Sequence, residues 1–168
     1  MAELTPKERL QPSLLDRLTD DEPEKTHESM DKRVLSPQRL RESVRRDLTW
    51  LFNTPNLATI QDLSDHPEVE RSTINFGIPD LAGRTASSID SPALLRLLRR
   101  AILDFEPRLL RNTVKVHLIA DPEQHGPNAM SFAIEAELWS QPLPLRLYLR
   151  TDLNLEDGEA QVTEVTVE

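Results

Sequence analysis

Ala101-Ile102-Leu103-Asp104-Phe105-Glu106-Pro107-Arg108-Leu109 is the stretch at which the hydrophobic period of the chain changes. Upstream of it, Leu94, Leu95, Leu98, Ile102 and Phe105 recur at three- and four-residue steps. With Ser91 as cap and Pro92 at the first helical position, that spacing predicts an amphipathic helix showing Arg96, Arg99 and Arg100 to the other side. Proline fixes its own φ and biases Glu106 away from the helical region, so the helix stops here. The expectation is an exposed corner at which Glu106 and Arg108 flank a rigid kink and grip a partner.

Downstream the period becomes two. Val114, Val116 and Leu118 alternate with Lys115 and His117, and Met130, Phe132, Ile134, Ala136 and Leu138 alternate with Ser131, Glu135 and Glu137. Beyond a Pro142/Pro144 turn, Leu145, Leu147 and Leu149 alternate with Arg146, Tyr148 and Arg150. These are three half-buried strands of an antiparallel meander, in which Glu135 and Glu137 pair with Arg146 and Arg150 for at most about 1 kcal/mol each. The Val/Thr-rich stretch Gln161 to Val167 breaks strict alternation and reads as an edge strand or a tail that orders with a partner. Helices precede strands, so the fold class is α+β, with N-terminal helices packed on one face of a small antiparallel β-meander.

Toward the N-terminus, Ser36-Pro37 opens a helix whose stripe is Leu40, Val44, Leu48 and Leu51 and which ends near Asn53, before Thr54-Pro55. Its other face, with Arg39, Arg41, Glu42, Arg45, Arg46 and Asp47, reads as solvated. Residues 55–71 are weakly patterned, with Leu57, Ile60 and Leu63 forming a short helix before Pro67. Around Gly77 and Pro79, Ile74, Phe76 and Ile78 are expected to clamp onto the core. Residues 1–32 form a polar, proline-punctuated arm with an acidic cluster at Asp20-Asp21-Glu22-Pro23-Glu24. Its apolar island, Leu14, Leu15 and Leu18 behind Pro12, admits two readings: a short turn docked on its own domain, or a docking peptide for another subunit. The organisation is thus an arm (1–32), an α+β domain (33–155) and a C-terminal tail or edge strand (156–168).

Composition narrows the function. The chain has 168 residues, with Lys+Arg 20 against Asp+Glu 29 and a net charge of -9, which disfavours nucleic acid and anionic membrane surfaces as partners and favours proteins. With Cys 0, no disulfide framework is expected. The start lacks a basic-then-apolar leader, and no apolar stretch approaches membrane-spanning length, so an unexported protein without membrane insertion is expected. His27, His66, His117 and His125 lack metal-ligand spacing, and neither a phosphate loop nor a G-x-S-x-G elbow occurs. No metal or cofactor is expected.

Four ordered blocks carry a resemblance: Ser13 to Leu18 followed by Asp20-Asp21-Glu22-Pro23, Val44 to Asn53, Ile74 to Leu81, and Ala101 to Leu109. Over roughly residues 11 to 155, the chain resembles the TssE family of type VI secretion baseplate subunits. These belong to the phage tail baseplate wedge proteins once labelled lysozyme-like. Phe76 stands where that family often has Tyr, and Phe52 where Leu is common. The resemblance implies a structural subunit, not an enzyme, that joins a TssF/TssG wedge near TssK and abuts the first ring of the TssB–TssC contractile sheath. It further implies that Glu106, Pro107 and Arg108 meet the wedge's helical bundle, and that the sheet helps to initiate the sheath by strand addition at an edge. The implied location is the cytoplasm, at the inner-membrane-docked baseplate of a Gram-negative bacterium.

Two other classes compete with this reading. A peptidoglycan hydrolase would need two carboxyl groups flanking a cleft, such as Glu106 with Asp104, Glu135 or Glu137. Arg108 works against Glu106 as a general acid, and 4% aromatic residues leave few platforms for sugar stacking. A regulatory anti-adaptor of the same fold would not need the Ser13 to Leu18 block. The baseplate reading also makes Arg108→Ala an assembly variant that leaves the fold largely intact.

Overall fold

Ser36 accepts a hydrogen bond from the Arg39 amide, and behind it helix α2 runs Pro37–Phe52 and stops at Asn53, as its spacing predicts. The computed structural model of the chain describes residues 13–19, 23–24, 36–119, 128–140 and 143–165. A short helix α1, Leu14–Leu18, precedes α2. A single turn α3, Pro67–Glu70, and the long helix α4, Ser91–Phe105, follow it. Asp90, one residue before the expected Ser91, caps α4 by accepting from the Ala93 amide. The expected helix over Leu57, Ile60 and Leu63 shrinks to one 3-10 turn, Leu57–Thr59, with Leu63 buried and Ile60 exposed.

The strands β1 (Lys115–Ile119), β2 (Ala129–Leu138), β3 (Leu145–Asn154) and β4 (Ala160–Glu164) form one antiparallel sheet in sequence order. The fold is therefore α+β, helices first, with the meander extended to four strands. Met130, Phe132, Ile134, Ala136 and Leu138 face the helices opposite Leu153, Thr151, Leu149, Leu147 and Leu145. The stripe of α2 and that of α4, with Leu98 and Ile102 fully buried, close over them. Phe52 meets Phe132 edge to face at 5.8 Å, a geometry aromatic quadrupoles favour.

The register corrects the cross-strand pairs. Glu137 lies opposite Arg146 as expected, but Glu135 lies opposite Tyr148 and pairs with His117 on β1, while Arg150 lies opposite Ala133 and pairs with Asp152. Leu118 is exposed because β1 is an edge strand. Ile78 is buried and Phe76 half-buried, but Ile74 points outward. Gly77, at φ 126°, passes so close to Thr54 that a Cβ would lie 2.1 Å from its carbonyl oxygen. Pro12, Asp20, Asp21, Glu22, His27, His125, Pro142 and Val167 lie outside the described residues.

Candidate functional site

Glu106 leaves the helix as Pro107 requires, with φ -119° and ψ 80°, and its amide closes the last turn onto the Ile102 carbonyl. The corner is then pinned to the end of β2. The Trp139 amide donates to the Arg108 carbonyl and the Leu110 amide to the Glu137 carbonyl, both at 2.8 Å. Backbone fixed at both ends holds the side chains of the corner in one arrangement.

That arrangement contradicts an exposed charged corner. Glu106 is 4% exposed. Arg108 turns back across Pro107 and donates from Nε to Glu106 Oε1 at 2.6 Å and from Nη2 to Oε2 at 2.5 Å, a two-pronged pair. Nη2 also reaches Asp47 Oδ2 at 2.5 Å, and Nη1 reaches Ser43 Oγ at 3.2 Å. Burial alone would lower the Arg108 pKa, but Glu106 and then Asp47 hold it above the usual value. A lone buried carboxylate is expensive, and turning the guanidinium inward onto it offsets part of that cost. The Glu-Pro-Arg charges thus bracket α4 to α2, and Pro107 is the exposed member of the motif.

The ion pairs continue to the arm. Arg46 donates to Asp47 Oδ1 and, at 2.6 Å, to Asp16 Oδ1 on α1. Asp16, Arg46, Asp47, Arg108 and Glu106 therefore alternate in sign along one line joining α1, α2 and the corner. Burial pushes the Asp16 carboxyl up, but the Arg46 hydrogen bond, Ser13 and the Arg46 charge together bring it below its usual value. Arg46 likewise lies above its usual value, burial being outweighed by Asp16 and Asp47. Its guanidinium also sits 4.8 Å from the centre of the Trp50 ring.

Beside this line opens a cleft of about 520 Å³, lined chiefly by Leu15, Trp50, Leu51, Phe76, Phe105 and Pro107, with Glu106, Arg108 and Asp47 at its polar side. Phe76 and Phe105 form an edge-to-face pair at 5.3 Å. Trp50 remains 47% exposed, an expensive placement for an indole that has room to be covered. Of the arm leucines, Leu15 lines the cleft while Leu14 and Leu18 face away from the domain, 70% and 73% exposed. The structure brings Leu15 to the Glu-Pro-Arg corner, and leaves Leu14 and Leu18 outside it.

Sequence reasoning missed Ser43, Arg46, Asp47 and Trp50. Their signal was their spacing: Ser43 and Asp47, like Arg46 and Trp50, stand four apart on α2, beside the apolar stripe. Read alone, such residues look like a solvated face.

Of the carboxyl groups weighed for a hydrolase, Glu106 is held in an ion pair, each of its oxygens accepting from Arg108. Among the described residues, no group of three or more His, Asp or Glu side chains is placed to hold a metal ion, and no helix is long and apolar enough to cross a membrane.

A family model of baseplate wedge protein gp25 matches residues 38–143, from the first turn of α2 to the residues between β2 and β3, and so includes the whole corner. No curated protein matches the chain.

Proposed function

We propose that this chain, which belongs to the gp25 baseplate wedge family and so is a structural part of a phage-tail-like baseplate, is the TssE-type subunit of a type VI secretion baseplate. Its partners are proteins of that assembly: TssF and TssG in the wedge, TssK nearby, and the sheath subunits TssB and TssC. The observation that carries this reading is the apolar cleft beside the Glu106-Pro107-Arg108 corner. A half-exposed tryptophan, two paired phenylalanines and a proline on a rigid floor are what an amphipathic helix of a wedge partner requires. In this reading Pro107 and the cleft touch the partner. Glu106 and Arg108 hold the floor in shape, and the Leu14 and Leu18 face of α1 extends the contact.

The sheet supplies the second contact. Its edges are β1 and β4; Asn53 and Arg45 of α2 already occupy the Ala160 and Val162 backbone groups of β4, so β1 is the edge that this reading offers to a strand added by the first sheath ring. The arm (1–32) serves the wedge and the domain (33–155) carries the cleft. The segment 156–168 contributes β4 as the other edge strand. Work in the cytoplasm, at the inner-membrane-docked baseplate, follows from the same assignment. Co-expression with TssF and TssG provides the test. Parent chain should co-purify with both and Trp50→Ala should lose most of that association while staying folded. Equal recovery of parent and variant would remove the cleft from the wedge contact.

A further inference from the structure

The charges on the far side of α4 are mostly positive. Arg96, Arg99 and Arg100 occupy one face of the helix at three- and four-residue steps, and Arg71 and Arg111 converge on them around an open cavity of about 470 Å³. Asp104 is the one carboxylate in its lining. Two of the five guanidiniums are fixed in place by the chain's own carbonyls: Arg99 Nε donates to Val114 O at 2.9 Å and Arg111 Nη1 to Leu103 O at 2.8 Å. Each keeps further N–H groups for a visitor. Arg100 shares Glu70 and Asp104, at 3.3 and 3.6 Å. Arg71 and Arg96 have no side-chain partner among the described residues.

Five arginines crowded about one cavity repel each other, and they do so in a chain whose net charge is -9. Guanidinium forks preset on backbone carbonyls match carboxylates two N–H groups at a time. We infer that this cavity is a docking site, separate from the cleft at Glu106-Pro107-Arg108, for an Asp/Glu-rich polypeptide segment of another protein. Charge complementarity selects that occupant. A nucleic acid or an anionic membrane would extend beyond the cavity onto an acidic molecule and be repelled there, whereas a short acidic segment places its carboxylates inside the cavity.

The test is fluorescence anisotropy of a labelled hexaglutamate peptide titrated with the full chain at low salt. The parent should bind, and added salt should weaken that binding. Arg71→Glu with Arg96→Glu should weaken it by at least about tenfold, while Arg39→Glu on exposed α2 surface should change it by less than about twofold. Arg71→Gln with Arg96→Gln repeats the loss without new charge, and circular dichroism verifies that each variant is folded. The inference is overturned if the parent does not bind the peptide, or if Arg39→Glu matches the double variants. Tighter binding of a single-stranded oligonucleotide or of phosphatidylserine vesicles than of the peptide also overturns it. So does a parent dimer in sedimentation that the double variants abolish, since the occupant would then be a second copy.

Discussion

Arg108 grips both carboxylate oxygens of Glu106 across a single intervening proline, at 2.6 and 2.5 Å, with Glu106 almost wholly buried. The pair most visible in the sequence is therefore turned inward, and its first duty is to the fold. Removing the guanidinium leaves Glu106 and Asp47 facing each other without the cation between them.

Arg108→Ala is accordingly expected to destabilise the chain by about 3–5 kcal/mol, the cost of breaking a buried pair from one side. Urea unfolding followed by circular dichroism measures it. A loss below about 1 kcal/mol, as for an exposed pair, would return the motif to a purely interfacial role.

Trp50→Ala should separate assembly from stability. The ring is half-exposed over the cleft, so its removal should shift folding stability by no more than about 1 kcal/mol while weakening wedge binding. A large fall in the melting temperature would instead make Trp50 part of the core.

Docking of α1 should depend on acid. The folded pKa of Asp16 lies below its ordinary value of 3.8, so its contribution is fully present above that value and is lost as pH falls through the folded one. Trp50 fluorescence in a Trp139→Phe background reports the release, because Arg46 links the ring to Asp16. Asp16→Asn should show the released signal already at pH 7. An identical signal in parent and variant across the acid range would count against the link.

Deleting residues 156–168 should damage the domain. It removes β4, whose Ala160 and Val162 are buried and pair with β3. The Asn53 side chain also brackets Ala160, donating to its carbonyl at 2.8 Å and accepting from its amide at 2.9 Å. Asn53→Ala should lower stability by about 1–3 kcal/mol as two buried backbone groups lose their partner. Unchanged unfolding midpoints for both variants would make β4 dispensable to the fold.

Gly77→Ala is expected to cost at least about 1 kcal/mol, because the new methyl meets the Thr54 carbonyl and the backbone sits at positive φ. A melting temperature equal to the parent's would show that the 54–56 segment yields freely.

The limits of α2 and α4, the break at Pro107 and the alternation of β2 and β3 were legible in the sequence, because each follows from neighbours within a few residues. Apolar period and proline geometry are local properties, and they also sufficed for the fold class. What tertiary structure alone decided is which charges meet. Arg108 reaches Ser43 and Asp47 across more than 60 positions, and Asn53 reaches Ala160 across 107. Sequence spacing tells that Asp47 and Arg46 share the polar side of α2, but not that α4 crosses close enough to bury Glu106, nor that α1 lays Asp16 on Arg46. A charged side chain is solvated or buried according to the partner brought to it, and that partner comes from a distant part of the chain whose position only the packed helices and sheet define.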